Sequence, residues 1–244
     1  MPKTEATKQA RNAAITYIAE HHPGDVKAFP HIDRDEFLHE LMDHIQHPKR
    51  INQENTDFCG PAAVLYALAK DDPLAYAKMG LDLFTTGKAT VRGWSVDAGE
   101  LKTKPMSEDT EIGCCDWVMM ASIRTNVGFG ALTSVTNSGT LPFEIKSSFE
   151  NLGYTDVKNE TYSTSLWKAD EKNLKDASKL WASGYRVVLC VNANMFSKPA
   201  ESSYKPNHFC TLKSTVRIGN NISCRLWQRE KTIRNLLRQE RQSM

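Results

Sequence analysis

An α+β fold, with helices first and antiparallel strands last, is predicted by three features of the chain. Apolar residues recur at helical spacing, bracketed by capping residues, from the N-terminus to Gly184. Tyr185–Val191 is then a nearly continuous apolar run, the pattern of a central strand. Two short runs follow, Phe209–Ser214 and Ile222–Trp227, separated by the turn signal Gly219-Asn220-Asn221. Segregation of helices from strands, rather than their alternation, points to an α+β layout.

The elements can be taken in order. Residues 3–20 read as an amphipathic helix with Ala10, Ala13, Ile15, Ile18 and Ala19 apolar, stopped at His21-His22-Pro23-Gly24. A second helix is expected from Arg34 to Ile45, with Phe37, Leu38, Leu41 and Ile45 on one face. Cys59 opens a third: Gly60 and Pro61 follow it, and proline suits a first turn because its missing N–H has no helical partner to lose. Asp71-Asp72-Pro73 ends that helix and caps the next, which runs to Thr86, buries Leu74, Ala77, Leu81 and Phe84, and closes at Gly87. Residues 88–111 read as a surface excursion with one short strand, Ala89–Trp94. Cys114–Arg124 is an apolar helix with Met119, Met120 and Ile123 in the core, and residues 125–139 form a polar loop. Thr140 caps a helix through Pro142 and Glu144, with Ile145, Phe149 and Leu152 inward and Gly153 as the stop. A strand is expected near Thr155–Asn159, then a helix capped by Asp170 with Leu174, Ala177 and Trp181 buried. Asn192–Pro206 is a polar loop leading to His208.

Bulk properties narrow the function. The chain has 244 residues, a net charge of +2 and an ordinary apolar content of 40 %. It can bury one large core or two lobes, and its charge marks no general nucleic-acid binder. No apolar stretch is long enough to span a membrane. The polar start, Met-Pro-Lys-Thr-Glu-Ala-Thr-Lys, carries no secretory signal, so export would need a dedicated machine. Six cysteines without a Cys-x-x-Cys pair are expected to be reduced and mostly buried. No cofactor or metal is required. His39 and His44, five apart, lie about 140° round a helix and do not match a zinc helix; His44 and His47 are better spaced, but solvated histidines on a polar face are the expectation.

The chemistry concentrates at Gln53-Glu-Asn-Thr-Asp-Phe-Cys59-Gly-Pro-Ala-Ala. A thiol at a helix N-terminus feels the positive end of the dipole, which favours the nucleophilic thiolate. Gln53, six residues upstream, can offer its amide N–H to an oxyanion forming beside that sulfur. About 150 residues downstream, Asn207-His208 opens a strand, completing a Cys–His arrangement. At these residues the chain resembles the papain-like cysteine peptidases, and more closely the bacterial papain-like toxins delivered between competing cells. The resemblance spans roughly residues 50 to 228.

That resemblance implies a helical lobe carrying Cys59 facing an antiparallel sheet carrying His208. It implies three parts: residues 1–48 a helical preamble, 49–228 the catalytic domain, 229–244 a basic tail read as a solvated helix. Cys59 would attack a carbonyl carbon, His208 would move the proton, and the Cys59 backbone N–H with Gln53 would hold the oxyanion. Papain-like enzymes orient the histidine with an Asn or Asp just before a Trp. Here the strand ends Arg225-Leu226-Trp227-Gln228, with no Asn or Asp before the Trp; Gln228 is the candidate, with Asn221, or loss of the third member leaving a Cys–His dyad, as the alternatives. Asp116-Trp117 is read as packing between lobes. The implied partners are a protein substrate and a cognate immunity protein, without nucleic acid; the implied route is specialised secretion into a target-cell cytoplasm. The same residues also suit a peptidoglycan amidase, a glutamine deamidase, or an inactive binding protein that kept the fold.

Overall fold

The structure, a computed structural model, describes residues 2–22, 24–106, 111–127, 139–161, 171–191, 207–218, 222–227 and 232–234. The chain divides into two compact units, Thr4–Val157 and Met1–Lys3 together with Lys158–Met244. The division falls inside the stretch that the sequence reading treats as one catalytic domain. Both units are built as expected for an α+β protein, one mainly helical and one around an antiparallel sheet.

The helical unit holds α1 (Lys8–His21), α2 (Arg34–Gln46), α3 (Cys59–Asp71), α4 (Pro73–Thr86), the hairpin β1 (Lys88–Val91) and β2 (Trp94–Asp97), α5 (Cys114–Asn126) and α6 (Pro142–Asn151). α3 is its core. Every residue from Cys59 to Ala69 is buried, and the helix packs against α2, α4, α5 and α6. A helix apolar all round must be surrounded on all sides. Three caps define the helix starts. Thr7 Oγ1 accepts from the Ala10 N–H at 3.1 Å, Asp33 Oδ1 from Glu36 at 2.9 Å, and Asp72 Oδ1 from Ala75 at 3.0 Å. Such caps each contribute about 1 kcal/mol. Gly87 ends α4 in the left-handed region, φ +74°.

Several expectations need correcting here. α1 starts at Lys8, not residue 3, and buries Ala14 and Ile18 rather than Ala13 and Ala19. Its Arg11 guanidinium donates to the carbonyls of Ile45 (2.6 Å) and Ala69 (3.1 Å), which tie off the last turns of α2 and α3. Leu74 is 36 % exposed, because α4 turns Ala75, Tyr76 and Met79 inward instead. Residues 88–97 form two strands, paired from Lys88↔Asp97 to Val91↔Trp94. Arg92 and Gly93 turn them with φ of +51° and +92°; an arginine in a left-handed position hid the turn from the sequence. Thr140 does not cap α6. The cap is Leu141, whose N–H donates to Glu144 Oε2 at 2.7 Å, and the buried Arg124 guanidinium lies 3.5 Å from that oxygen. Thr155–Asn159 forms no strand.

The sheet unit holds α7 (Glu171–Ala182), β3 (Val188–Val191), β4 (His208–Leu212), β5 (Arg217–Ile218), β6 (Ile222–Trp227) and β7 (Thr232–Arg234). Strand order is β3-β4-β6-β5, with β7 also pairing β6, and all pairs are antiparallel. β3 is therefore not the central strand. It is half-buried throughout, whereas β4 is buried at every position. An unbroken apolar run reads as central, but β3 has a single neighbour among the described strands. Cys210, Leu212, Cys224 and Leu226 make the core, covered by Trp181, Val187, Leu189, Val191 and Val216. Lys3 joins this unit: its N–H donates to Gly184 O at 2.8 Å, and its ammonium sits 3.9 Å from the centre of the Trp181 ring. The tail also contributes, since Thr232–Arg234 is a strand rather than part of a solvated helix. The turn at 219–221 and the loops 128–138 and 192–206 lie outside the described residues. Among the described residues, no helix is long and apolar enough to cross a membrane.

Candidate functional site

The N-terminus of α3 carries the nucleophile candidate. Phe58 is the cap residue and offers no side-chain cap bond, and the first turn contains no acidic residue. Cys59 is 5 % exposed. Gly60 next to it is required to be small: a Cβ there would lie 2.5 Å from Thr140 Cβ. Thr140 Oγ1 and Gln53 Oε1 are buried with no hydrogen-bond partner among the described residues. Such atoms stand out because buried polar groups are nearly always paired.

The loop leading into Cys59 is tightly bonded. The Gln53 carbonyl accepts from Thr56 N–H (3.1 Å) and from Thr56 Oγ1 (2.7 Å). Asn52 Oδ1 accepts from the Glu54 N–H at 3.1 Å, its amide donates to the Glu54 carboxylate, and Glu54 has φ +49°. The Asn52 N–H donates to Asp116 Oδ2 at 2.8 Å, from the first turn of α5. The sequence reading assigned Asp116 to packing between lobes; its carboxyl in fact grips this loop.

His208 opens β4 opposite Val191, is 8 % exposed, and follows Asn207, whose N–H donates to Val191 O at 2.9 Å. The structure thus puts Gln53 and Cys59 in the helical unit and His208 in the sheet unit. Gln228 and Asn221, the candidates for orienting the histidine, lie outside the described residues.

A second cysteine-led helix start lies at α5, and its surroundings are acidic. The Cys115 N–H donates to Glu40 Oε2 at 2.8 Å. Burial, then the nearby Glu40 and Glu36, push the Cys114 thiol well up. Burial, then Asp116 and Glu40, do the same to Cys115. Glu40 is itself raised by burial, and Asp116 is raised well above the usual carboxylate range for the same reason. These thiols are kept protonated and are poor nucleophiles.

His44 is not the solvated histidine the sequence suggested. It is buried, its Nδ1 lies 3.0 Å from the Tyr76 hydroxyl, and its Nε2 lies 3.6 Å from Asp116 Oδ2. Burial lowers its pKa to about 4. Burial thus pushes Asp116 up and His44 down, disfavouring the charged form of each. His39 and His47 are exposed, so these histidines form no ligand set with His44. Glu36, Glu40 and Cys114 bring ligand atoms within 4.8 Å of one another, but Glu40 already serves the helix start. None of the six cysteines is in a disulfide.

Asp116, Thr140 and His44 are the residues of this region that sequence reasoning missed. Nothing in the spacing of Asn52 and Asp116 signals a contact 64 residues apart. No family model, no curated protein and no solved structure matches the chain.

Proposed function

We propose that the chain is a papain-like cysteine peptidase, an antibacterial effector that cuts a protein in the cytoplasm of a target bacterium. The observation that carries this reading is the start of α3: a cysteine on a helix N-terminus without acidic neighbours in its first turn, with unpartnered polar atoms of Gln53 and Thr140 in the same region. His208, the first residue of the antiparallel strand β4, is the base this reading assigns to a Cys–His pair.

In this mechanism His208 takes the thiol proton and Cys59 Sγ bonds to the substrate carbonyl carbon. The C=O electron pair moves onto oxygen, where the Cys59 backbone N–H and the Gln53 amide hold it. His208 then returns the proton to the leaving amine as the C–N bond breaks, and water hydrolyses the thioester. Gln228 is assigned the orientation of His208. A producing cell would need an immunity protein that blocks the site, and specialised secretion would deliver the toxin.

The test is growth of a bacterial host expressing the wild-type chain or Cys59→Ala in its cytoplasm, with proteome-wide mapping of new protein termini. Arrest with new termini, both lost in Cys59→Ala, is the expected result. Arrest lost without new termini would replace cleavage by deamidation. Identical growth of the two strains would remove the catalytic reading.

A further inference from the structure

We propose that Asp116 is a positioning residue for the oxyanion donor Gln53, acting through the Asn52 backbone. The inference rests on the catalytic reading of Cys59 and Gln53. Its basis is the 2.8 Å bond from the Asn52 N–H to Asp116 Oδ2, between two elements 64 residues apart. Asp116 is 3 % exposed, so the accepting end of this bond is shielded from water.

The loop has two fixed ends. Downstream it runs into α3, buried from its first residue. Upstream it hangs on Asp116. Between them Gln53 is clamped by Thr56, which bonds its carbonyl twice, and Glu54 is held at φ +49° by the Asn52 side chain. A side chain one residue from an anchor inherits the anchor's position, and a donor displaced by about 1 Å loses much of its effect on an oxyanion. Asp116 is itself backed by the His44 ring, 3.6 Å away, which the Tyr76 hydroxyl holds from behind at 3.0 Å. The chain Tyr76–His44–Asp116–Asn52 therefore connects α4, α2 and α5 to the residue that precedes Gln53.

The experiment compares two reactions of Cys59 in the purified full chain. Iodoacetamide alkylates the thiolate, forming S–C and expelling iodide, with no oxyanion. A glycyl-glycinal aldehyde adds reversibly: S–C forms, the carbonyl pair moves to oxygen, and oxygen takes a proton. Asp116→Ala should weaken aldehyde binding about 10²-fold, as Gln53→Ala does, while alkylation changes less than about threefold. The double variant should be no worse than either single one. Asp116→Asn should bind the aldehyde like wild type, because its amide oxygen still accepts from Asn52. Full aldehyde binding in Asp116→Ala, with loss in Gln53→Ala, overturns the inference. Should Asp116→Ala not fold, hydrogen exchange of the Asn52 amide decides in the wild type: slow exchange supports the bond and unprotected exchange rejects it. Aldehyde binding no stronger in wild type than in Cys59→Ala would instead sink the catalytic reading on which the inference stands.

Discussion

Two helices of the helical unit start on a cysteine, and they are electrostatic opposites. At α3, Cys59 follows an uncapping phenylalanine, and no acidic side chain lies in the first turn. At α5, Cys114 and Cys115 meet Asp116 in the first turn and the Glu40 carboxylate on the Cys115 N–H. The Cys115 N–H at the start of α5 is satisfied by the Glu40 carboxyl, while the first turn of α3 carries no acidic side chain. The helix dipole is a property of backbone and is the same in both. What differs is which side chains the fold brings to it.

The sharpest way to break the comparison is thiol reactivity. At neutral pH, Cys59 should be alkylated by iodoacetamide at least about 10²-fold faster than Cys114 or Cys115, because burial and then the neighbouring carboxyls suppress the thiolates of the latter. Mass spectrometry of the three cysteine peptides measures this. Equal rates would mean that the two helix starts are chemically equivalent.

The acidic end of α5 can be read through His44, whose pKa is lowered to about 4 from 6.5. A lowered histidine contributes stability that is present above its unfolded pKa and lost as pH falls through the folded one. The window is therefore pH 6.5 to about 4. Across it, the stability advantage of wild type over His44→Gln should shrink by on the order of 3 kcal/mol. Asp116, raised by burial, changes in the opposite sense, contributing stability at low pH and losing it as pH rises. It is present in both proteins, so the difference between their urea curves reports His44 together with its coupling to Asp116, 3.6 Å away. A constant difference across the window would show that His44 is not held neutral.

Gly60→Ala tests the crowding at α3. Its Cβ would meet Thr140 Cβ at 2.5 Å, so a loss of about 1–3 kcal/mol is expected by urea unfolding. Unchanged stability would indicate that Thr140 yields and that the helix start is looser than the packing suggests.

The smallest effect concerns Glu40→Gln. The amide oxygen can still accept from the Cys115 N–H, so stability should change by no more than about 1 kcal/mol. Removing the charge should lower the Cys114 pKa, since Glu40 raises it, and shift the alkylation profile of Cys114 toward lower pH. A profile that stays in place would leave the shift to burial and Glu36.

Local signals were legible where chemistry is local. Asp72-Pro73, Gly87 and the Cys59-Gly60-Pro61 start were readable because caps and breakers act within a few residues. Boundaries failed where tertiary contacts override them: Leu74 faces outward, β3 is at the end of the strand order, and Arg92 adopts a turn conformation its type disfavours. Gln53 and Cys59 stood out because they are close in sequence. Asp116, His44 and Thr140 did not, because their meaning comes from partners about 30 to 80 residues away.

The sequence by itself determined the α+β class, the helix start at Cys59 and the strand start at His208, since periodicity and capping depend on neighbours along the chain. Only the tertiary structure decided which helix N-terminus receives carboxylates and which does not. Burial acts first and charge acts through space, so Glu40, invisible as a neighbour of Cys115 in the sequence, adds to the rise of both α5 thiols.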